Sequence, residues 1–146
     1  MLELAEARRR QYAAYQPLFW RPGADAAEQQ RPYLANRLQD ERVIALVAVA
    51  DGALRGFVVG TLMAAPPVYD PGGDTCLVDD FTVAAPADWP TLGVALLRAV
   101  EDAARRRGAA QMGAVTAHSD QAKRTALAKG GLSLASEWWV SGPNAL

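Results

Sequence analysis

LVDDFTVAAPADWPTLGVALL, residues Leu77 to Leu97, packs an apolar strand-like segment with two adjacent carboxylates, a Pro-containing turn and the start of a helix into one run. A strand that feeds a helix is a common place for a phosphate, because free backbone N–H groups and the positive end of the helix dipole meet there. Such junctions are usually glycine-rich and carry a basic residue, whereas this one offers Asp88, Trp89, Pro90 and Gly93. Pro90 suits a first helical turn and Asp88 an N-cap. That would leave the N–H groups of Thr91, Leu92, Gly93 and Val94 facing whatever precedes the helix. Two readings stay open on these residues alone: an anion site built of backbone amides, or a capped turn with no ligand, with the Asp88 charge counting against an anion.

Outward from this run the periodicity is legible on both sides. Leu4 to about Pro17 reads as a helix, PLFWRPG as an aromatic turn, and Asp25 to about Gln39 as a second helix that Pro32 kinks or splits. Val43–Ala50 is a β-rich run, Asp51-Gly52 a hairpin turn, and Leu54–Ala64 the returning strand. After the long turn APPVYDPGG, Thr75–Val83 is a third strand. Leu92, Leu96, Val100 and Ala103 line one face of a helix that Gly108 ends. Met112–Ala117 is a buried strand, Asp120 caps a helix to Lys129, and Leu134–Val140 is a last strand after Gly130-Gly131. The order ααβββαβαβ predicts an α/β (α+β) fold, a mixed and mostly antiparallel sheet with helices on both faces, in one domain over residues 1–146.

The 146 residues suffice for one sizeable core, and 51% hydrophobic with 21% charged residues is the make-up of a globular domain. A formal net charge of −1 gives no reason to expect nucleic acid or an anionic membrane as partner. No apolar run reaches spanning length, and the lone Cys76 suits a reducing compartment, so the expected location is cytoplasmic. His118 is the only histidine, which excludes a His-rich metal site, and no metal is expected.

Among candidate site residues Asp79 and Asp80 come first. Successive strand residues point to opposite faces, so one of them should face a core or cleft, either hydrogen-bonded for structure or kept as a base. Lys123 and Arg124 follow the fourth strand on a short helix, where ligands of open sheets sit, and a solvated helix face is the competing reading. Tyr69 and Trp20 belong to aromatic groups able to line a pocket, and the other aromatics, Trp138 and Trp139 among them, read as core or interface.

Taken in order, VIALVAVADGALRGFVVGTL, LVDDFTV, LGVALLRAVEDAARRRGA and DQAKRTALAKGGLSLASEWW resemble the GNAT superfamily of acetyl-CoA-dependent N-acetyltransferases over roughly Val43 to Val140. The likeness lies in the order and spacing of pieces that are individually weak. The loop departs from the family's Arg/Gln-x-x-Gly-x-Gly/Ala, since DWPTLG keeps only the last glycine, and the family's general-acid tyrosine falls at Leu127. The resemblance implies acetyl transfer from acetyl-CoA to a primary amine, of a small molecule or a peptide, by direct attack. Asp79 would be the base, often through water, with Asp80 on the substrate side. Phe81, Thr82 and Val83 would lie along the pantetheine arm, Thr91 to Val94 would donate to the pyrophosphate, and Lys123 and Arg124 would contact phosphate. A GNAT-shaped binding or interaction module without catalysis is the alternative, and a homodimer with Trp138 and Trp139 at the contact is a further expectation.

Overall fold

The computed structural model describes residues 1–142. Helices α1 (Leu2–Tyr15) and α2 (Ala26–Arg37) precede a hairpin of β1 (Val43–Ala50) and β2 (Ala53–Met63). Asp51 (φ 52°) and Gly52 (φ 73°) both take the positive φ that a two-residue hairpin turn requires, joining Ala50 to Ala53. β3 (Asp74–Val83) pairs antiparallel with β2, α3 (Val94–Arg106) crosses over, β4 (Ala109–Ala114) pairs parallel with β3, and α4 (Gln121–Lys129) follows. The sheet order is β1-β2-β3-β4.

Alternation along β2 separates two apolar layers. Val58 and Leu62 join Cys76, Val78, Phe81 and Val83 of β3 under α3 and α4, while Phe57 and Val59 meet Ala5 of α1 on the opposite face. The expected mixed, mostly antiparallel sheet with helices on both faces is thus present. α3 buries Val94, Leu96, Leu97, Val100 and Ala104, and Leu92 and Ala103 are only partly covered. Glycines let α3 lie close on β2: a Cβ at Gly56 would stand 3.1 Å from Leu96 of α3, and one at Gly60 would stand 2.7 Å from Cys76 Sγ and 3.6 Å from Val100.

Two expectations about elements are corrected. β4 lies earlier than Met112–Ala117, because its pairing with β3 runs only from Asp74↔Ala109 to Val78↔Ala114. Leu134–Val140 is not a strand, and Leu134, Trp138 and Trp139 remain exposed. The aromatic and β-branched composition of that segment is a preference for a half-buried pleated surface, and the segment takes no place in the four-stranded sheet. Its contacts are instead an edge-on meeting of Trp138 with Phe19 at 5.9 Å and His118 Nδ1 with Glu137 at 3.7 Å.

Trp89 is the largest side chain between β3 and α3, 3% exposed, with its ring edge-on to Phe81 at 4.8 Å. A Cβ at Gly93 would lie 2.5 Å from that indole, so Gly93 is the residue that admits it. Trp89→Ala is expected to lower the unfolding free energy by about 3–5 kcal/mol, and Trp139→Ala by no more than about 0.5 kcal/mol, as read from urea denaturation. Equal losses would place Trp89 outside the core.

Candidate active site

β3 does not keep its alternation. Val59 pairs with Asp80 and Gly60 with Val78, so Asp79 is the extra residue of a β-bulge. Asp80, opposite Val59, belongs to the α1 face of the sheet. Arg37 of α2 holds Thr61 Oγ1 at 2.8 Å and both oxygens of Asp79 at 2.9 and 3.1 Å, which puts Asp79 on that same face. The expectation that the two acids point to opposite faces is therefore corrected: the bulge cancels one step of the period, and both carboxylates emerge together.

Their environments differ. Asp79 is exposed and its two oxygens are engaged by one guanidinium in a bidentate fork. Asp80 is half-buried, and among the described residues no hydrogen bond or ion pair reaches its carboxylate. Burial first, and then the neighbouring Asp79 charge, push the Asp80 pKa up, against the pull of Arg37, Lys123 and Arg8.

Beyond the bulge β3 and β4 part company. Their last link is Val115 N–H to the Val78 carbonyl at 2.8 Å, and from there the β4 side of β3 is without a strand partner. Into this splay reaches Lys123, 1% exposed, donating to the Phe81 carbonyl at 3.2 Å and to Tyr12 Oη at 3.4 Å. The rings of Phe81, Tyr12 and Trp89 surround its ammonium at 5.3, 5.9 and 5.9 Å. Behind it Arg8 forms a buried ion pair with Asp120, which also caps α4 through the Lys123 N–H. The competing reading of a solvated helix face is corrected for Lys123, because its side chain turns in against Tyr12 and Phe81 while Gln121 and Ala122 of the same turn stay exposed. Burial, helped by the Arg8 charge, pushes the Lys123 pKa down to about 7. Burial likewise raises Tyr12.

A cleft of about 330 Å³ opens beside the splay. Arg8, Thr82, Ala84, Trp89, Ser119 and Asp120 are among its walls. Arg8 Nε is buried there with no hydrogen-bond partner among the described residues.

The junction itself differs from a simple capped turn. A 3₁₀ turn (Pro86–Asp88) runs into a wide π-type turn (Trp89–Gly93), whose last link carries the Val94 N–H back to the Trp89 carbonyl. Two expectations fall here. Val94 has no free N–H, and the Asp88 side chain makes no cap bond, pairing with Arg55 at 3.0 Å instead. Thr91 is exposed and Leu92 half-exposed, and Lys129 of α4 donates to the Pro90 carbonyl at 3.0 Å. Arg124 bonds the His118 carbonyl at 3.1 Å, near the mouth of the splay.

The remaining candidates separate. Trp20 stacks on Tyr12 at 5.0 Å, one ring removed from Lys123. Tyr69 is exposed on the β2–β3 connection, at the end where β3 begins, and Asp74 there is roughly 20 Å of extended strand from Asp80. That separation sets Tyr69 apart from the two acids. Four residues were not anticipated: Arg8 and Tyr12 on α1, Arg37 on α2, and Lys129. The signal for the first two was present in the sequence, since Ala5, Arg8 and Tyr12 follow one helical face and are the buried residues of α1.

No protein-family model matches the chain, and no curated protein matches it. Solved structures do. A predicted acetyltransferase with acetyl-CoA from Clostridium acetobutylicum aligns at a TM-score of 0.72 and 15% identity, over 97% of this chain and 89% of that one. The ribosomal-protein-alanine N-acetyltransferase of Brucella melitensis biovar Abortus 2308 aligns at a TM-score of 0.59 and 24% identity, over 92% and 93%. An aminoglycoside N-acetyltransferase in complex with CoA aligns at a TM-score of 0.63 and 16% identity, over 79% and 88%. At these identities the likeness is one of fold, and the chain shares the fold of these acetyltransferases.

The buried lysine has a thermodynamic consequence. The unfolded chain keeps a lysine protonated to about pH 10.4, whereas the folded chain releases that proton near pH 7. Between these values the unfolded state binds more protons, so stability rises with pH. The slope should approach roughly 1.4 kcal/mol per pH unit. Cys76 and Tyr12, both shifted upward by burial, oppose the rise at higher pH, so the clean window is about pH 7 to 8.5. Melting curves across that window should climb for the native chain and stay flat for Lys123→Met. A climb that survives the substitution would assign it to another group.

Proposed function

We propose that this chain is an N-acetyltransferase that moves acetyl from acetyl-CoA to a primary amine by direct attack, with Asp80 as general base. The observation that carries the reading is the unpaired, half-buried Asp80 carboxylate next to a parallel strand pair that opens at a bulge. An alkylammonium must lose a proton before its nitrogen can attack a thioester. A carboxylate of raised pKa beside the cleft attracts the cation and accepts that proton, directly or through one water. Asp79 is the less suitable base, because Arg37 engages both its oxygens. Its place in the reaction is to fix the bulge against α2 and to keep negative charge beside Asp80. Two acids at one spot favour a cationic acceptor.

The chain offers acetyl-CoA a fitting surface. Lys123 takes the Phe81 carbonyl, and the rest of the β3 edge along Phe81, Thr82 and Val83 can pair with the amide groups of a pantetheine arm as an added strand would. The cleft with its unpartnered Arg8 Nε supplies a buried donor. Thr91, Leu92 and Gly93 are left to meet the pyrophosphate at the start of α3, where Lys129 bonds the Pro90 carbonyl and Arg55 pairs with Asp88. Acetyl-CoA brings the activated acyl group. The chain desolvates the thioester, orients it along β3 and removes the proton from the amine.

Acetyl-CoA at about 100 times its dissociation constant should stabilise the chain by roughly 2.7 kcal/mol, visible as a raised melting temperature. No shift at millimolar acetyl-CoA would overturn the reading. With a panel of primary amines and CoA release as readout, Asp80→Asn should lower kcat/KM by about 10²-fold or more. Asp79→Asn should cost less, and the reverse order would hand the base role to Asp79.

A further inference from the structure

We propose that Lys123 is the general acid of this site, donating a proton to the sulfur of the departing CoA. The inference rests on the acetyltransferase reading above and supplies the group that reading lacks, since Leu127 is a core residue packed under the sheet.

β3 runs from the bulge at Asp79 towards the start of α3. A pantetheine arm laid along its free edge, with its pyrophosphate at α3, brings the sulfur back to the bulge. The group standing there is the Lys123 ammonium on the Phe81 carbonyl. Two of its protons go to Phe81 O and Tyr12 Oη, and the third has no acceptor among the described residues. The side chain is held from every side, by Tyr12 of α1, Phe81 of β3 and the Trp89 ring, so the ammonium is positioned rather than searching. A lysine placed only to satisfy Asp120 would point back at that carboxylate, which instead takes Arg8.

The groups that set its protonation are Arg8 and Tyr12 on α1, Asp79 and Asp80 on β3, and Asp120 at the start of α4. Burial among them brings its pKa to about 7, below that of an alkyl thiol, so the transfer to a thiolate runs downhill. Asp80 first takes a proton from the ammonium and passes it to solvent. In the step itself the amine nitrogen bonds to the thioester carbon and Asp80 takes the second proton the nitrogen loses. The C–S bond breaks with its electron pair going to sulfur, and sulfur takes a proton from Lys123. The products are the amide and free CoA. Asp80 then returns its proton to solvent, and Lys123 regains one.

Leaving-group dependence tests the role. Acetyl-CoA binding to the full chain is first measured by calorimetry for the native protein and for Lys123→Met. Transfer to one primary amine is then followed with acetyl-CoA and with 4-nitrophenyl thioacetate, whose thiolate leaves without a proton. The substitution should leave acetyl-CoA affinity within about threefold. It should lower kcat with acetyl-CoA by roughly 10²-fold, and that with the activated thioester by less than about threefold. The fall of kcat as pH rises past 7 should also vanish in the variant. An equal loss with both thioesters, or an unchanged pH profile, would make Lys123 structural and overturn the proposal while leaving acetyl transfer standing. Native protein that binds no acetyl-CoA would overturn both.

Discussion

The constraint on which the site depends is the one-residue bulge at Asp79. Without it Asp80 would turn under α3, into the layer that holds Val78 and Phe81, and an ionised carboxylate would sit in an apolar core. With it the step of alternation is absorbed, Phe81 and Val83 return to the core, and both acids emerge on the α1 face. The bulge also bends β3 away from β4 at the point where their hydrogen bonds stop, after Val78. One irregularity therefore creates the acid pair and the open strand edge together.

An open strand edge inside a protein is unstable unless something satisfies it. Here the Phe81 carbonyl is satisfied by an ammonium rather than by a strand, and that choice draws in the rest of the cluster. A buried lysine needs acceptors and π faces, which Tyr12, Phe81 and Trp89 provide. Asp120 lies close enough to attract it, but Arg8 holds that carboxylate. The aromatic wall in turn requires Trp89 to point inward, which the wide turn before α3 and the bare Gly93 allow. The unusual composition of the strand–helix junction follows from this: it is shaped to place an indole under the sheet, whatever else its backbone binds.

Much of the fold was legible because its signals are local. Asp51-Gly52 reads as a tight hairpin, Gly108 as a helix stop and Asp120 as a cap, and all three hold. The site was legible only in outline. The acid pair was visible, but its geometry depends on a bulge set by pairing with Gly60, nineteen positions back in the chain and invisible to period counting. Lys123 read as a surface residue because charge predicts exposure, and only the meeting of α4 with α1 reverses that. Arg8 was hidden in a run of arginines whose neighbours Arg9 and Arg10 do make surface contacts with Glu6. Trp138 and Trp139 misled in the other direction, since aromatic composition suggested a strand where the segment stays exposed outside the sheet.

Burial acts on the two titratable partners with opposite signs. It raises Asp80 and lowers Lys123, bringing an acid and an amine that would titrate far apart in water closer together on the pH scale. Their ionised forms attract each other, which limits the convergence, and Arg8 and Asp79 work the other way by disfavouring each charge in turn. The result is an acid and an amine that titrate closer together than they would in water. Acetyl transfer to an amine needs such a pair, because it takes a proton from nitrogen at one end of the reacting atoms and delivers one to sulfur at the other. A single β-strand, interrupted by one extra residue, holds the acceptor on one face and the carbonyl that orients the donor along its edge.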